Sequence, residues 1–184
     1  MTPFRRPPSV MALAAAAVAC LALPAWRAAR VLRRVEVMGD SMAPALLPGD
    51  FLLLHRSAPP REDAYGQIVV TADPRPEGAG RLLLKRIVGL PGEALRVGGG
   101  VQVNGRILDE PYAHGETPFE QHRGINRIDP DQYFVMGDHR GASTDSRDFG
   151  PIARDAILGT AVWRYWPPER VGRLRAPDRV LLGA

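Results

Sequence analysis

The sequence predicts a mainly β protein, built from antiparallel sheets and preceded by one N-terminal transmembrane helix. Short apolar runs bounded by Gly, Pro or Asp recur along the chain, which is typical of strands. Gly (19) and Pro (18) are abundant among the 184 residues and favour many turns. Helical periodicity is not sustained after residue 40, whereas residues 10–23 are continuously apolar. The chain is long enough for one compact domain and an anchor.

The N-terminal segment has the composition of a membrane anchor. Residues 1–9 form a short basic segment, and residues 10–26 are the predicted transmembrane anchor. The apolar run is shorter than the roughly 20 residues that usually span a bilayer, but flanking arginines can reach the interface. A cleaved signal peptide is the alternative, since residues 17–22 offer small residues at the required spacing. Cys20 is the only cysteine, so an intrachain disulfide is excluded and a lipoprotein cleavage site stays open.

The β domain is predicted over residues 35–166. Strands are expected at residues 51–56, 67–72, 81–90, 94–97, 101–103, 106–108, 132–136 and 157–166. Asn104-Gly105 is a strong hairpin signal between two of them. Surface loops are expected at residues 74–80 and 113–124, and residues 167–184 form an arginine-rich tail that we expect to be peripheral.

Positive charge comes almost entirely from arginine. The formal net charge is +4, and 23 of the 24 Lys and Arg residues are arginine. Many arginines flank the apolar segment, which favours a membrane surface over nucleic acid as the partner. The chain has no zinc-finger spacing and no aromatic-rich basic strand of the kind that binds RNA. Lys85 is the only lysine, as expected if one position needs an amine that can lose its proton.

Three segments can carry chemistry. The first contains a candidate nucleophile, Ser41, and the second contains a candidate base, Lys85. Ser41 lies among glycine, aspartate and proline, in a predicted turn where a serine often only bonds its own backbone. Lys85 lies in an apolar run, and alternation in a strand would place it on one face with Leu83 and Ile87. Apolar surroundings lower the pKa of a lysine, and a neutral lysine can accept a serine proton. A lysine that extends from a strand edge into solvent is the alternative.

The third segment, residues 137–147, is short, polar and rich in charge, and it follows an apolar strand. In an extended chain Asp145 and Arg147 would share a face and bond elsewhere in the loop. A solvated hairpin loop is the alternative.

Together, these segments resemble the signature motifs of type I signal peptidases, the serine-lysine proteases that remove signal peptides from exported proteins. The family's Ser-Met followed by a proline two residues on is matched by residues 41–44. Its Lys-Arg followed by Val-Gly-Leu-Pro-Gly is matched by residues 85–92, with an isoleucine inserted. Its Gly-Asp and Ser-x-Asp-Ser-Arg box is matched by residues 137–147. The match runs in order from Gly39 to Pro151, over more than half of the chain.

The resemblance implies a signal-peptidase-like catalytic β domain in which Ser41 is the nucleophile and Lys85 the general base. It also implies that Ser143 orients Lys85 through a hydrogen bond, and that Asp145 and Arg147 form a supporting ion pair. The Ser41 N–H would donate to the oxyanion, and acyl transfer of this kind needs no metal or cofactor.

The resemblance further implies the partners and the location. These are signal-peptide-bearing preproteins and the lipid bilayer, with no nucleic acid. We expect a monomer in the plasma membrane, crossing it once, with its catalytic domain on the extracytoplasmic side.

Two departures from the family pattern concern the site. Gly39 stands where some members carry a serine whose hydroxyl adds to the oxyanion hole. Gly39 and Met42, on either side of Asp40 and Ser41, are candidate supporting residues of the site. His139 stands where many members have asparagine after Gly-Asp. The connection between the second and third motifs is short, so the large extra β domain of some members should be missing or reduced.

Four other classes compete with this interpretation. A histidine-dependent serine hydrolase would use His139, but no Gly-x-Ser-x-Gly motif surrounds Ser41. The self-cleaving repressors resemble the serine-lysine fold, but they carry an N-terminal DNA-binding module. A non-catalytic exported β-domain lipoprotein attached at Cys20 stays open. The four histidines lack metal-ligand spacing, which argues against a zinc protease.

Overall fold

The computed structural model describes residues 32–56 and 64–183, where most regular elements are strands. In chain order the strands are β1 (Leu32–Glu36), β2 (Phe51–His55), β3 (Ile68–Ala72), β4 (Leu82–Gly89), β5 (Leu95–Gly98), β6 (Gly100–Val103), β7 (Arg106–Leu108), β8 (Arg123–Ile125), β9 (Gln132–Met136), β10 (Ile152–Ala153), β11 (Ile157–Trp166), β12 (Gly172–Arg173) and β13 (Leu181–Leu182). Within these ranges the only α-helix is α1 (Ser146–Phe149), and short 3-10 turns lie at Pro76–Gly78, Phe119–Gln121, Arg140–Ala142, Arg154–Ala156 and Pro168–Arg170.

The strands form two antiparallel sheets of unequal size. The larger sheet has the order β1-β2-β11-β3-β4-β9-β10, with β12 attached to β11. The smaller sheet has the order β13-β7-β6-β5-β8 and is formed mainly by the connection between β4 and β9. The mainly β, antiparallel fold is therefore confirmed. The predicted transmembrane helix at residues 10–26 lies outside the described residues, and among the described ones no helix is long and apolar enough to span a membrane.

The local sequence explains the strands well. All eight predicted runs form strands, with shifts of one residue at some ends. Asn104 and Gly105 both have positive φ (50° and 82°), as the tight turn between β6 and β7 requires. The core-facing residues of β5 and β6 alternate with exposed ones, which is the period-two pattern of half-buried strands.

Three segments differ from the sequence-based expectation. β1 begins at Leu32, before the expected domain start at residue 35, and pairs along its whole length with β2. Its two consecutive arginines interrupt the apolar pattern by which a strand is recognised. The expected loop at residues 113–124 contains a 3-10 turn and runs into β8.

The arginine-rich tail, described as far as residue 183, lies at the surface of the domain and is attached to it. β12 pairs with β11 and β13 pairs with β7, so the tail touches both sheets. Two of its arginines form ion pairs with acidic residues of the domain: Arg170 with Asp50 at 3.0 Å and Arg179 with Glu93 at 2.7 Å. Arginines that look like surface charge in the sequence thus tie the tail down.

Two buried clusters position the parts of the site. One contains Met42 and Leu46 from the turn after β1, packed with side chains of β2 and β3 such as Leu52 and Val70. The other joins the two sheets, since Val88 of β4 and Phe134 of β9 pack with apolar residues of β5 and β6. Because such clusters are close-packed, they hold the connecting loops in fixed positions.

Candidate active site

Ser41 lies in a tight turn that is anchored by its neighbour. The Ala43 N–H donates to the Asp40 carbonyl at 2.9 Å, and the Leu46 N–H donates to the Met42 carbonyl at 2.9 Å. Met42 is 1% exposed and packs into the cluster below the turn. The buried Met42 side chain therefore holds the turn while Ser41 stays half-buried with its hydroxyl at the surface of the core.

Lys85 reaches Ser41 from the middle of β4. Its side chain is almost completely buried, and its Nζ donates to Ser41 Oγ at 2.8 Å. Burial lowers the pKa of Lys85 from the ordinary 10.5 to about 8, with Arg147 lowering it further and the carboxylates of Asp145, Asp138 and Asp73 opposing the shift. An amine with this pKa is partly neutral near pH 8 and can accept the hydroxyl proton.

Asp145 and Arg147 form the buried ion pair that the motif implies. Both are fully buried, Arg147 Nη2 lies 2.8 Å from Asp145 Oδ2, and Arg147 Nε donates to Asp145 Oδ1 at 2.8 Å. Asp145 Oδ2 also accepts from the Gly137 N–H at 2.8 Å. Burial opposes ionisation of Asp145, but the hydrogen bonds and charge of Arg147 outweigh it, so the pKa of Asp145 is below its ordinary value.

The hydrogen bond of the Ser143 hydroxyl differs from the one that the resemblance implies. Ser143 Oγ donates its proton to Asp145 Oδ2 at 2.7 Å, and of the described residues only Ser41 accepts a hydrogen bond from the Lys85 ammonium. Ser143 is nevertheless close to the reacting groups. A Cβ added at Gly137 would lie 2.2 Å from Ser143 Oγ and 2.5 Å from the Ser41 carbonyl oxygen. The loop that carries Ser143 therefore lies close to the Ser41 turn, but the Ser143 hydroxyl donates its hydrogen bond to Asp145.

The carbonyl and the N–H of Ser41 differ in their hydrogen bonding. The Ser41 carbonyl accepts from the His139 N–H at 3.1 Å, which ties the nucleophile turn to the third motif. Within the described part of the chain, no group accepts a hydrogen bond from the Ser41 N–H, so this donor is available. A Cβ at Gly39 would have no heavy atom within 4 Å, so the backbone there has open space but contributes no side-chain donor.

An apolar groove leads to the two reacting side chains. It has a volume of about 550 Å³ and runs between the Val35–Gly39 stretch and residues 81–85, at the start of β4. β3 pairs with β4 from Leu82 to Arg86, whereas β9 pairs with β4 only from Arg86 onward. One edge of β4 beside the groove therefore has no strand partner in the described ranges. Met38 and Leu82, 87% and 55% exposed, flank the groove.

Motif analysis alone did not assign a role to a second buried ion pair. Arg86 Nε donates to Asp138 Oδ1 at 2.8 Å, and Arg86 Nη1 donates to the Gly66 carbonyl at 2.7 Å. Both residues belong to matched motifs, directly after Lys85 and Gly137, and that adjacency was the available signal. The pair joins the strand that carries the base to the loop that supports it.

His139 does not occupy the position of a general base. Its backbone contacts Ser41, whereas its ring lies beside His114, with ring centroids 5.6 Å apart. Its Nδ1 is buried without a hydrogen-bond partner among the described residues. The 2.8 Å contact to Ser41 Oγ belongs to Lys85. This geometry disfavours the histidine-dependent alternative.

Most of the sequence matches a known peptidase family. The family described as "Signal peptidase, peptidase S26" matches residues 10–166. This chain belongs to that family. A probable signal peptidase I-2 of Synechocystis is 38% identical over 143 residues, covering 75% of this chain and 65% of the relative. A signal peptidase I of Leptolyngbya laminosa is 34% identical over 151 residues, covering 77% of this chain and 72% of the relative.

A solved signal peptidase I from Enterococcus faecalis V583 is also similar. It is 26% identical, covers 56% of this chain and 98% of its own, and superposes with a TM-score of 0.46. Membership of the signal peptidase family confirms the resemblance drawn from the three motifs. It also argues against the repressor alternative, because the match includes the N-terminal segment from residue 10 onward.

Proposed function

We propose that this chain is a membrane-bound serine endopeptidase that removes signal peptides from exported preproteins. The observation that carries the proposal is the 2.8 Å hydrogen bond between Lys85 Nζ and Ser41 Oγ, formed by a buried lysine whose pKa is about 8. A nucleophile paired with an adjacent base of lowered pKa is the arrangement that acyl transfer requires. Membership of the signal peptidase family supports the substrate class.

Catalysis begins with neutral Lys85. Lys85 takes the proton of Ser41 as Oγ attacks the scissile carbonyl carbon, and the carbonyl electrons move to the oxygen. The Ser41 N–H donates to that oxyanion. Collapse of the tetrahedral intermediate breaks the C–N bond, and the Lys85 ammonium gives its proton to the departing amine. Lys85 then takes a proton from a water molecule that attacks the ester, and returns it to Ser41 Oγ.

The groove accounts for how an extended substrate is held. A peptide that lies along the free edge of β4 at residues 82–85 can form backbone hydrogen bonds as an added strand. In this arrangement alternate side chains point into the groove, at the first and third positions before the cut. Small residues are proposed at both positions because membership of the signal peptidase family supports signal peptides as the substrate. Val70, Met42 and neighbouring apolar side chains line the groove that would receive them.

The proposed location follows from the N-terminal segment. Residues 10–26 are proposed to anchor the chain in the plasma membrane, with the catalytic domain as a monomer on the extracytoplasmic face. Only five residues separate the anchor from β1, and residues of β1 border the groove. The site would thus lie close to the bilayer surface, where a signal peptide emerges.

The decisive experiment compares the full chain in detergent with its Ser41→Ala variant on a purified preprotein. We expect the wild type to release the mature protein and Ser41→Ala to release none. Preproteins with a bulky residue at the first or third position before the cut should resist the wild type. Equal processing by Ser41→Ala would refute the peptidase proposal, whereas equal processing of bulky substrates would refute only the proposed specificity.

A further inference from the structure

The loop that carries Ser143, Asp145 and Arg147 is held from both sides. Its inner side contacts the strands of the larger sheet: the Val135 N–H donates to Ser146 Oγ at 2.9 Å, and the Gly137 N–H donates to Asp145. Its outer side turns three carbonyl groups and the Asp148 carboxylate away from the core. These outer acceptors are met by two side chains from the chain segment that leads into the smaller sheet.

Gln121 is the first of these side chains. Its Nε2 donates to the Ser143 carbonyl at 3.2 Å and to the Asp148 carboxylate at 2.9 Å. The same carboxylate accepts from the Asp145 N–H at 2.9 Å and closes the capping box of α1. Because all the acceptors are oxygens, the amide nitrogen of Gln121 must face the loop. Its Oε1 is buried without a partner among the described residues, so the side chain is oriented by the loop contacts alone.

Arg123 is the second. It lies on β8, and its guanidinium donates to the Arg147 carbonyl and, at 3.0 Å, to the Asp148 carbonyl. These carbonyls belong to the last residues of a four-residue helix, where backbone acceptors have no partner inside the helix. An arginine at this end also complements the partial negative charge of the helix terminus. Arg123 therefore completes the hydrogen bonding of α1 from outside.

The loop in turn shapes the surroundings of Lys85. Two charged groups from the loop, Asp145 and Arg147, act on the ammonium, as do Asp138 after β9 and Asp73 after β3. We propose that Gln121 and Arg123 are positioning residues, which hold the loop 143–148 from the smaller sheet so that Asp145 and Arg147 stay fixed against Lys85. This inference rests on the proposed function of Lys85 as the base, and neither residue touches the substrate.

Loss of the hydrogen bonds that Gln121 and Arg123 make to the loop should change the pKa of Lys85. Burial is the main reason for the low pKa of Lys85, and Asp145 and Arg147 of the loop are close enough for their charges to act on it. A loop that moves outward admits water beside the ammonium, which stabilises the charged form. The lysine would then stay protonated to higher pH, and turnover would fall even though the groove is unchanged.

The chain offers an unusually direct measurement, because Lys85 is its only lysine. Full-length protein labelled with ¹³C-lysine gives one lysine side-chain NMR signal, and its titration reads the Lys85 midpoint without any turnover. We would compare Gln121→Ala, which leaves the charge unchanged, and Arg123→Ala with two matched controls. Gln102→Ala and Arg96→Ala remove exposed side chains from the same sheet that form no side-chain hydrogen bond or ion pair with described residues.

The expected result is a Lys85 midpoint about one pH unit higher in Gln121→Ala and in Arg123→Ala, with both controls at the wild-type value. On a preprotein, kcat at pH 7.5 should fall about tenfold while KM stays within about twofold. A wild-type midpoint in Gln121→Ala, or equal shifts in the control variants, would overturn the inference. If Arg123→Ala fails to fold, Gln121→Ala decides. If the wild type cleaves no preprotein but the NMR shift appears, the proposed function fails and the positioning role stands.

Discussion

Lys85 joins properties that a surface lysine does not have. It is buried, it donates a hydrogen bond to Ser41, and its pKa is about 8. Arginine serves at 23 other cationic positions of this chain, including buried ion pairs such as Arg86–Asp138 and Arg147–Asp145. Arginine keeps its proton in proteins, so it suits permanent charge and cannot act as a base. The division of labour between the two residue types follows from their proton affinities.

Replacing Lys85 by arginine tests this division. Lys85→Arg keeps the positive charge and most of the apolar stem, but the guanidinium cannot accept the Ser41 proton near neutral pH. We expect cleavage to fall by about 10²–10⁴. The wild-type rate should rise with pH through about 8, because the neutral amine forms as pH passes the Lys85 pKa. Rates measured from pH 6 to 10 check both, with circular dichroism as the folding control. A folded Lys85→Arg with near-normal activity contradicts the serine-lysine mechanism.

The same lysine makes the folded state less stable at neutral pH. Its folded pKa of about 8 lies below the ordinary 10.5 of the unfolded chain, so between these values the unfolded chain binds more protons. Wild-type stability therefore rises with pH across this window, and below it the charged lysine opposes folding. Lys85→Met removes this opposition and should raise the free energy of unfolding at pH 7 by about 1–3 kcal/mol.

The measurement is urea unfolding in mild detergent at a series of pH values. The advantage of Lys85→Met should shrink as pH rises from 8 toward 10.5, since the wild-type lysine becomes neutral there. An advantage that does not change with pH would show that it comes from packing and not from the proton. Loss of activity with gain of stability is the usual pattern for a buried catalytic charge.

At the scale of elements, the site depends on a close approach between two loops. Gly137 is the point at which the third motif passes the Ser41 turn, and its N–H donates a hydrogen bond to the Asp145 carboxylate. The nearest atoms to a Cβ at this position are the Ser143 side chain at 2.2 Å and the Ser41 carbonyl oxygen at 2.5 Å. Neither group can retreat easily, because Ser143 bonds Asp145 and Ser41 belongs to the anchored turn.

Gly137→Ala should therefore displace Ser41 relative to Lys85. We expect kcat to fall about 100-fold or more, since misplacement by about 1 Å is enough for such a loss. Gly141→Ala is the matched control in the same loop, because a Cβ there meets only the Glu116 carbonyl at an ordinary 3.5 Å. Single-turnover cleavage by the two variants compares them. Wild-type rates in Gly137→Ala would mean that the two loops are less closely coupled than their geometry implies.

At the scale of the whole molecule, the smaller sheet is part of the site's support. It shares a buried cluster with β4 and β9, and its Gln121 and Arg123 reach the loop beyond Ser143. The tail extends across both sheets through β12 and β13. β4, β9 and the chain segment between them are thus joined by buried packing and hydrogen bonds into one unit.

The position of this unit relative to the membrane gives a prediction for the intact cell. The span from residue 26 to β1 is at most about 20 Å when extended, so the proposed anchor at residues 10–26 would keep the groove beside β1 near the bilayer. We expect protease added to intact spheroplasts to digest the domain, and a cytoplasmic marker protein to survive. Protection of the domain until the cells are lysed would contradict the extracytoplasmic placement.

The sequence by itself determined the strands and indicated Ser41 and Lys85 as the proposed nucleophile and base. Alternating and apolar runs set β2–β7, β9 and β11 because strand formation depends on which faces are buried, a property of neighbouring residues. Ser41, Lys85 and the Asp145–Arg147 pair were found because their motifs are short and continuous in the chain. The anchor and the membrane location remain predictions of the same kind.

Only the tertiary structure decided which partners each side chain has. In the folded chain the Ser143 hydroxyl donates its hydrogen bond to Asp145, and the His139 backbone, not its ring, contacts Ser41. Gln121 lies at the outer side of the loop. The tertiary structure also made strands of β1 and of the arginine-rich tail. These outcomes depend on contacts between residues far apart in the chain, where the choice among several acceptors is settled by packing, and a linear pattern does not carry that information.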